Sequence, residues 1–204
     1  MEYYFDIMNI DLDLLFSWGA IAKKYKKNEL IFDEEETAHF YFQIIEGSVR
    51  MYNSNDDGKE FTEDFYHNGD SFGDYSLLID KSYSSKATTL KDTTIVKLSK
   101  IKFLKIIEDY PHLRNQFMIS LAQKIYSKSE TSKEIINQKP EFRIVAFLNT
   151  FKRKSEVCAD RILVPYTRQE IANFTGLRVE TVIRVCTRMN DSNKVKIINH
   201  KLYY

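Results

Sequence analysis

Cysteine is scarce in this 204-residue chain: only Cys158 and Cys186 occur, far apart and with no Cys or His beside either at ligand spacing. A disulfide framework, a zinc site and an iron–sulfur cluster therefore have no residues to build on. Histidine is sparse as well. His39, His67, His112 and His200 are too scattered to gather with carboxylates around a catalytic metal, which argues against a metal-dependent enzyme. No apolar run approaches the ~20 residues that cross a bilayer, and the acidic start MEYYFDIMNIDLDLL is unlike an export signal. The expectation is a cytoplasmic protein with no membrane partner. Internal repeats and low-complexity tracts are also missing.

An excess of charge of one sign is missing only on average. The whole chain holds 30 Lys+Arg and 29 Asp+Glu, but residues 139–204 hold 13 basic and 6 acidic residues, leaving 17 basic and 23 acidic in residues 1–138. A near-neutral chain thus contains a basic and an acidic module. Concentrated basic charge is the electrostatic footprint of phosphate binding, and the acidic part is ill suited to nucleic acid.

The basic part carries a distinctive stretch, YTRQEIANFTGLRVETVIRVCTRMN at 166–190. With Arg168 as the first position, Ala172 falls fifth, where two helices touch, and Gly176 ninth, where the turn needs a residue without Cβ. Ile171, Leu177, Val182 and Val185 fill inward positions. Thr167 is a helix N-cap with Glu170 three residues later, the capping-box arrangement. On the second helix Val182 and Val185 anchor one face, leaving Glu180, Thr181, Arg184 and Arg188 on the other. The spacing is that of a helix-turn-helix with arginines at 178, 184 and 188. Cys186 packs among the apolar residues of that helix.

Upstream the period changes several times. Residues 1–18 suggest one or two short helices through Leu12, Leu14, Leu15, Phe16 and Trp18. Strand-like runs follow at 30–32, 40–45, 48–52, 60–66 and 94–98, separated by turn signals at Glu46-Gly47, Asn53 to Gly58, Asn68-Gly69-Asp70 and Asp80-Lys81. Many short strands read as an antiparallel double-stranded barrel, or jelly roll, its interior filled in part by Phe65, Phe72, Leu77 and Leu78. A short helix at 100–109 precedes Pro111, which opens a helix reaching about residue 137. Leu113, Phe117, Leu121 and Ile125 recur along it every four residues, beside Met118, Ala122 and Tyr126. At roughly 25 residues and ~37 Å it outruns so small a barrel, so the stripe beyond residue 121 calls for a second copy of the chain. Pro140 marks a boundary, Phe142 to Phe151 form a further helix ended by Lys152-Arg153-Lys154, and runs at 162–165, 195–198 and 202–204 add a wing. The fold class is α+β: a sensor domain over 1–110, a dimerisation helix over 111–138, and a winged helix-turn-helix over 139–204.

Barrel, long helix and winged helix in this order resemble the Crp/Fnr superfamily of bacterial transcription regulators. The resemblance rests on TRQEIANFTGLRVETVIR at 167–184, YKKNELIFDEEETAHFYFQIIEGSVRMY at 25–52 and NGDSFGDYSLL at 68–78. It implies double-stranded DNA and RNA polymerase as partners and a homodimer as the active form. It also places DNA contacts at Arg168, Gln169, Arg178, Val179, Glu180, Thr181, Arg184 and Arg188. Arg168 matches a phosphate-contacting arginine; Glu180 and Arg184 match residues that read base edges. Arginine on guanine O6 and N7, with a carboxylate accepting from cytosine N4, specifies a G·C pair. Val179 stands where the cyclic-AMP receptor type has arginine, in a V-E-T-x-x-R string like the Fnr type. An apolar residue there meets a thymine methyl, so palindromic half-sites closer to TTGA than to GTGA are expected. Ile183 replaces the serine usual in the Fnr type, which leaves the flanking position open.

Departures from the family pattern fall at the effector site. Cyclic-nucleotide sensors of the superfamily carry Gly-Glu for the ribose and Arg-Ser for the phosphate; the matching residues here are Gly73-Asp74 and Ser84-Ser85. Serine in place of arginine removes the positive fork that would neutralise a buried phosphate, and Lys86 alternates to the other side of the strand. Cyclic AMP is disfavoured, as are haem, for want of a placed axial ligand, and an iron–sulfur cluster, for want of N-terminal cysteines. No cofactor is expected. Two readings of Gly73-Asp74 stay open: they line a pocket for another small effector, with a residue among Ser127 to Ser132 reaching in, or they only make a tight turn. The leading expectation is a DNA-binding regulator that is not an enzyme. Alternatives are a constitutive DNA binder, a metal-dependent cupin-type enzyme, and a winged helix that binds protein.

Overall fold

The computed structural model describes residues 9–136, 139–154 and 161–204, so Cys158 and residues 1–8 lie outside the described residues. The chain falls into two units, Met1–Ile125 and Tyr126–Tyr204, and the division lies inside the long helix.

The first unit opens with α1 (Leu12–Ser17), whose N-cap Asp11 accepts from the Leu14 amide. Two four-stranded antiparallel sheets then form the jelly roll. One has the order β1 (Ile21–Tyr25), β8 (Thr93–Ser99), β3 (Phe40–Glu46), β6 (Ser71–Phe72); the other β2 (Leu30–Phe32), β7 (Lys86–Thr89), β4 (Val49–Ser54), β5 (Glu60–Tyr66). The five expected runs are all strands. β1, β6 and β7 were not anticipated, because IAKKY and KATT carry too few apolar residues to show a buried face and Ser71–Phe72 is only two residues long. β1 lies at a sheet edge, exposed along most of its length, with Lys23 over the ring of Tyr25.

The roll's interior is strongly aromatic. Phe72 stacks on Phe42 and Phe32, and Phe32 lies flat on Tyr83 with ring centroids 3.7 Å apart. Phe65, Phe72 and Leu77 are buried as expected, while Leu78 is half-buried against the core. Buried Gln43 ties down the chain before α1: it accepts from the Ile10 amide and the Tyr41 hydroxyl and donates to the Ile10 carbonyl. Each such bond satisfies a group that burial would otherwise leave costly.

Helices α3 (Lys100–Asp109) and α4 (Pro111–Ile136) follow β8. Phe103 of α3 stacks on Tyr41 and meets Phe117 of α4 edge-on. Leu113 and Phe117 enter the roll's core and Leu121 packs partly against it, whereas Met118, Ile125 and Tyr126 are 62%, 69% and 66% exposed.

The second unit holds α5 (Pro140–Lys154), β9 (Leu163–Val164), α6 (Arg168–Thr175), α7 (Val179–Asp191), β10 (Lys196–Ile198) and β11 (Lys201–Tyr203). Its sheet has the order β10-β11-β9. Ile144, Phe147 and Leu148 of α5 meet Ile171 and Phe174 of α6 and Val182, Val185 and Met189 of α7 in a buried centre, with Phe147 against both Tyr166 and Phe174. The hairpin between β10 and β11 turns at Asn199 and His200, both with positive φ. That is a winged helix-turn-helix.

Candidate nucleic-acid interface and sensor site

The helix-turn-helix is specified locally at both of its junctions. Thr167 caps α6 by accepting from the Glu170 amide, and Glu170 reaches back to accept from the Thr167 amide at 2.6 Å, so the capping box is complete. Gly176 ends α6 in the left-handed conformation (φ 66°), where a Cβ would be strained. Thr167→Ala is expected to lower the stability of this unit by about 1 kcal/mol in urea unfolding, with the folded structure otherwise unchanged.

α7 has two opposed faces. Val182, Val185, Cys186 and Met189 are buried, whereas Glu180, Ile183, Arg184, Thr187 and Arg188 are exposed. Val179 and Thr181 are half-buried, and Arg178, the N-cap residue of α7, is exposed. On α6, Arg168 is half-buried and Gln169 is exposed, its amide donating to Asn173. Expected contact residues from both helices therefore carry side chains that solvent can reach. Lys194 bonds Glu141 at 2.6 Å, bracing the end of α7 against the start of α5, and this hydrogen bond holds the Glu141 carboxyl below its ordinary range. The Cys186 thiol is raised by burial, partly offset by Arg168, as befits an inert packing residue.

The second constellation lies in the roll. Gly73 is not a strand-to-strand turn: it is the left-handed N-cap of a short helix, α2 (Asp74–Leu78). Asp74, 1% exposed, receives the Lys124 ammonium at 2.6 Å and the Ser71 hydroxyl at 2.8 Å. Ser84 is exposed and its hydroxyl lies 2.9 Å from that of Tyr75. Ser85 is fully buried and donates to Glu63 at 2.7 Å. Lys86 pairs with Asp33 at 2.9 Å, on the other side of its strand as its parity requires. On the long helix it is Lys124, before the expected segment, that reaches this place; the side chains from residue 130 onward lie outside the described residues. A lysine gives no sequence signal of burial, and its partner stands fifty residues earlier.

Among the described residues no group of three His, Cys, Asp or Glu could hold a metal ion, and no helix is long and apolar enough to cross a membrane. Comparison with known proteins is decisive on the family. The profile of the cyclic nucleotide-binding domain matches residues 22–110, and that of the Crp-like helix-turn-helix domain matches residues 142–202. The chain belongs to the Crp/Fnr superfamily. It is 27% identical over 179 residues to the transcriptional activatory protein AadR of Rhodopseudomonas palustris, covering 86% of this chain and 73% of that one. It is 26% identical over 187 residues to the cAMP-activated global transcriptional regulator CRP of Haemophilus influenzae, covering 90% and 83%. In fold it matches FixK2 from Bradyrhizobium japonicum with a TM-score of 0.79 at 22% identity, over 90% of this chain and 91% of that one. These Crp/Fnr relatives are transcription regulators rather than enzymes, and this Crp/Fnr chain is a DNA-binding regulator by its helix-turn-helix.

Proposed function

We propose that this Crp/Fnr regulator acts as a homodimer paired through α4 and reads palindromic half-sites closer to TTGA than to GTGA. The observation that carries the reading is the exposure of Glu180 and Arg184 on the face of α7 opposite its buried residues. Arginine on guanine O6 and N7, and glutamate on cytosine N4, would read one G·C pair, and Val179 would rest on a thymine methyl. Arg168 and Gln169 at the start of α6, with Arg178, Thr181 and Arg188, would hold the duplex by its backbone.

Pairing is supported by the exposed apolar residues Met118, Ile125 and Tyr126 on α4, which a second α4 would cover. Two recognition helices about 34–36 Å apart then meet successive major grooves, and promoter-bound dimers would work with RNA polymerase. Cyclic AMP, haem and an iron–sulfur cluster have no part in this reading. A cyclic phosphate does not fit the residues at its family position, because Ser85 already donates to a carboxylate and Ser84, in the arginine's place, carries no charge. That disagreement favours a second form of the same reading, in which the operator is bound without any effector.

Selection from a random pool of duplexes tests the half-site. A palindrome of TTGA-like halves is expected; GTGA halves, or no palindrome, would overturn the assignment of Val179 and Arg184.

A further inference from the structure

Both serines at the family's effector position already have a partner, one buried and one at the surface. Ser85 gives its hydroxyl proton to Glu63, and Ser84 is engaged by Tyr75. Over Gly73 the rings of Phe32 and Tyr83 leave so little room that a Cβ would lie 3.0 Å from Tyr83 and 3.1 Å from Phe32. Carboxylates gather here: Asp64, Asp74 and Glu63 add to burial in pushing the Tyr66 phenol well above its ordinary value. A cation reaches Asp74 among them. The Lys124 ammonium lies 2.6 Å from Asp74 Oδ2, 3.0 Å from the Ser71 carbonyl and 3.3 Å from the Ser71 hydroxyl oxygen. An ammonium has three N–H bonds, so these three acceptors complete it. Asp74 Oδ1 is buried with no hydrogen-bond partner, so this carboxylate depends on Lys124 for its compensation.

We propose that Lys124 is a built-in ligand: its ammonium fills a primary-ammonium site formed by Asp74 and Ser71 and ties α4 to the roll with no effector. Burial sets the strength of the tie. The Asp74 carboxylate is 1% exposed and the Lys124 side chain 25%, so solvent screening weakens the pair far less than an exposed one. The link spans 50 residues and joins the N-terminal end of α2 to the middle of α4, where Leu121 is only partly covered and Ile125 is exposed. Holding that part of the helix is the task a bound effector would otherwise perform. Lys124 makes it a permanent feature of the chain.

The site predicts its own chemical rescue. Lys124→Ala removes three methylenes and the ammonium, which together are n-propylammonium. Hydrogen exchange of the α4 amides from 117 to 128 is expected to rise roughly tenfold or more in this variant, with a fall in melting temperature of about 5 °C. n-Propylammonium at tens of millimolar should reverse most of both changes. Tetramethylammonium, with the same charge and no N–H, should reverse neither. Asp74→Asn should loosen the same amides and show no rescue, and cyclic AMP should move neither quantity in the unaltered protein. If Lys124→Ala folds too poorly to measure, Lys124→Met keeps the stem and is expected to show the same loosening. Unchanged exchange in the lysine variants, equal rescue by both cations, or stabilisation of the unaltered protein by cyclic AMP would overturn the proposal. None of these readouts involves DNA, so they stand apart from the half-site assignment.

Discussion

Replacing Arg184 with alanine is expected to weaken binding to a TTGA palindrome by roughly 5- to 150-fold per half-site, the equivalent of about 1–3 kcal/mol for an arginine paired with guanine. The loss should be selective: a duplex with the central G·C replaced should bind the variant about as well as the original site, since the group that distinguished them is gone. Arg168→Ala provides the contrast. A phosphate contact carries no sequence information, so its loss should weaken all duplexes alike and reduce the slope of log affinity against log salt by about 1. Anisotropy titrations of both variants, at several salt concentrations and on both duplexes, separate these outcomes. Because Arg184 is exposed, its variant should melt with the unaltered protein, so that any loss of binding reports on DNA. A uniform loss for Arg184→Ala would remove it from the base-reading set.

Gly47→Ala is the substitution expected to damage folding most. Gly47 joins β3 to β4, and so carries the chain from one sheet of the roll to the other. Its φ of 124° is a conformation that side-chain-bearing residues rarely adopt, and a Cβ there would stand 2.3 Å from the Thr93 hydroxyl oxygen and 2.6 Å from Thr93 Cβ. Thr93 cannot simply turn away. It is 3% exposed on β8, accepts from the Ser48 amide and donates to the Lys91 carbonyl, while the Gly47 amide is held by Asn68. Strain and overpacking together should cost about 3 kcal/mol or more. Urea unfolding followed by Trp18, the single tryptophan, which packs on the roll's core, reads the loss. Gly58→Ala is the control: its φ is also positive but nothing lies within 4 Å of the added carbon, so a cost near 1 kcal/mol is expected. A midpoint for Gly47→Ala equal to that of the control would show that Thr93 can yield.

What the sequence displayed well was whatever a local rule governs. The capping box at Thr167 and Glu170, the glycine at 176 and the alternation of Val182 and Val185 with arginines on α7 all follow from neighbours within one or two helical turns. The β5 run shows its bounds because the turn residues beside it are strong. What stayed hidden depends on distant partners. Lys124 is one more lysine among the apolar residues of α4 until Asp74 is brought to it, and Glu63 is one more strand carboxylate until Ser85 is buried against it. The effector position was therefore legible as a departure from the family pattern, but its replacement was not.

β1 illustrates the same limit and has a consequence for association. Its lysines kept it from being read as a strand, yet it closes one side of a sheet, and no strand among the described residues pairs with its outer edge. An uncovered edge with free backbone donors and acceptors invites a strand from another molecule. Lys23 and Lys24 place charge on that edge, and burying their ammonium groups in a new ladder would cost more than its hydrogen bonds return. The opposite edge, β6, is only two residues long and offers little to extend. That sheet thus carries a device against strand addition from another molecule at each of its two rims, charge at one and brevity at the other.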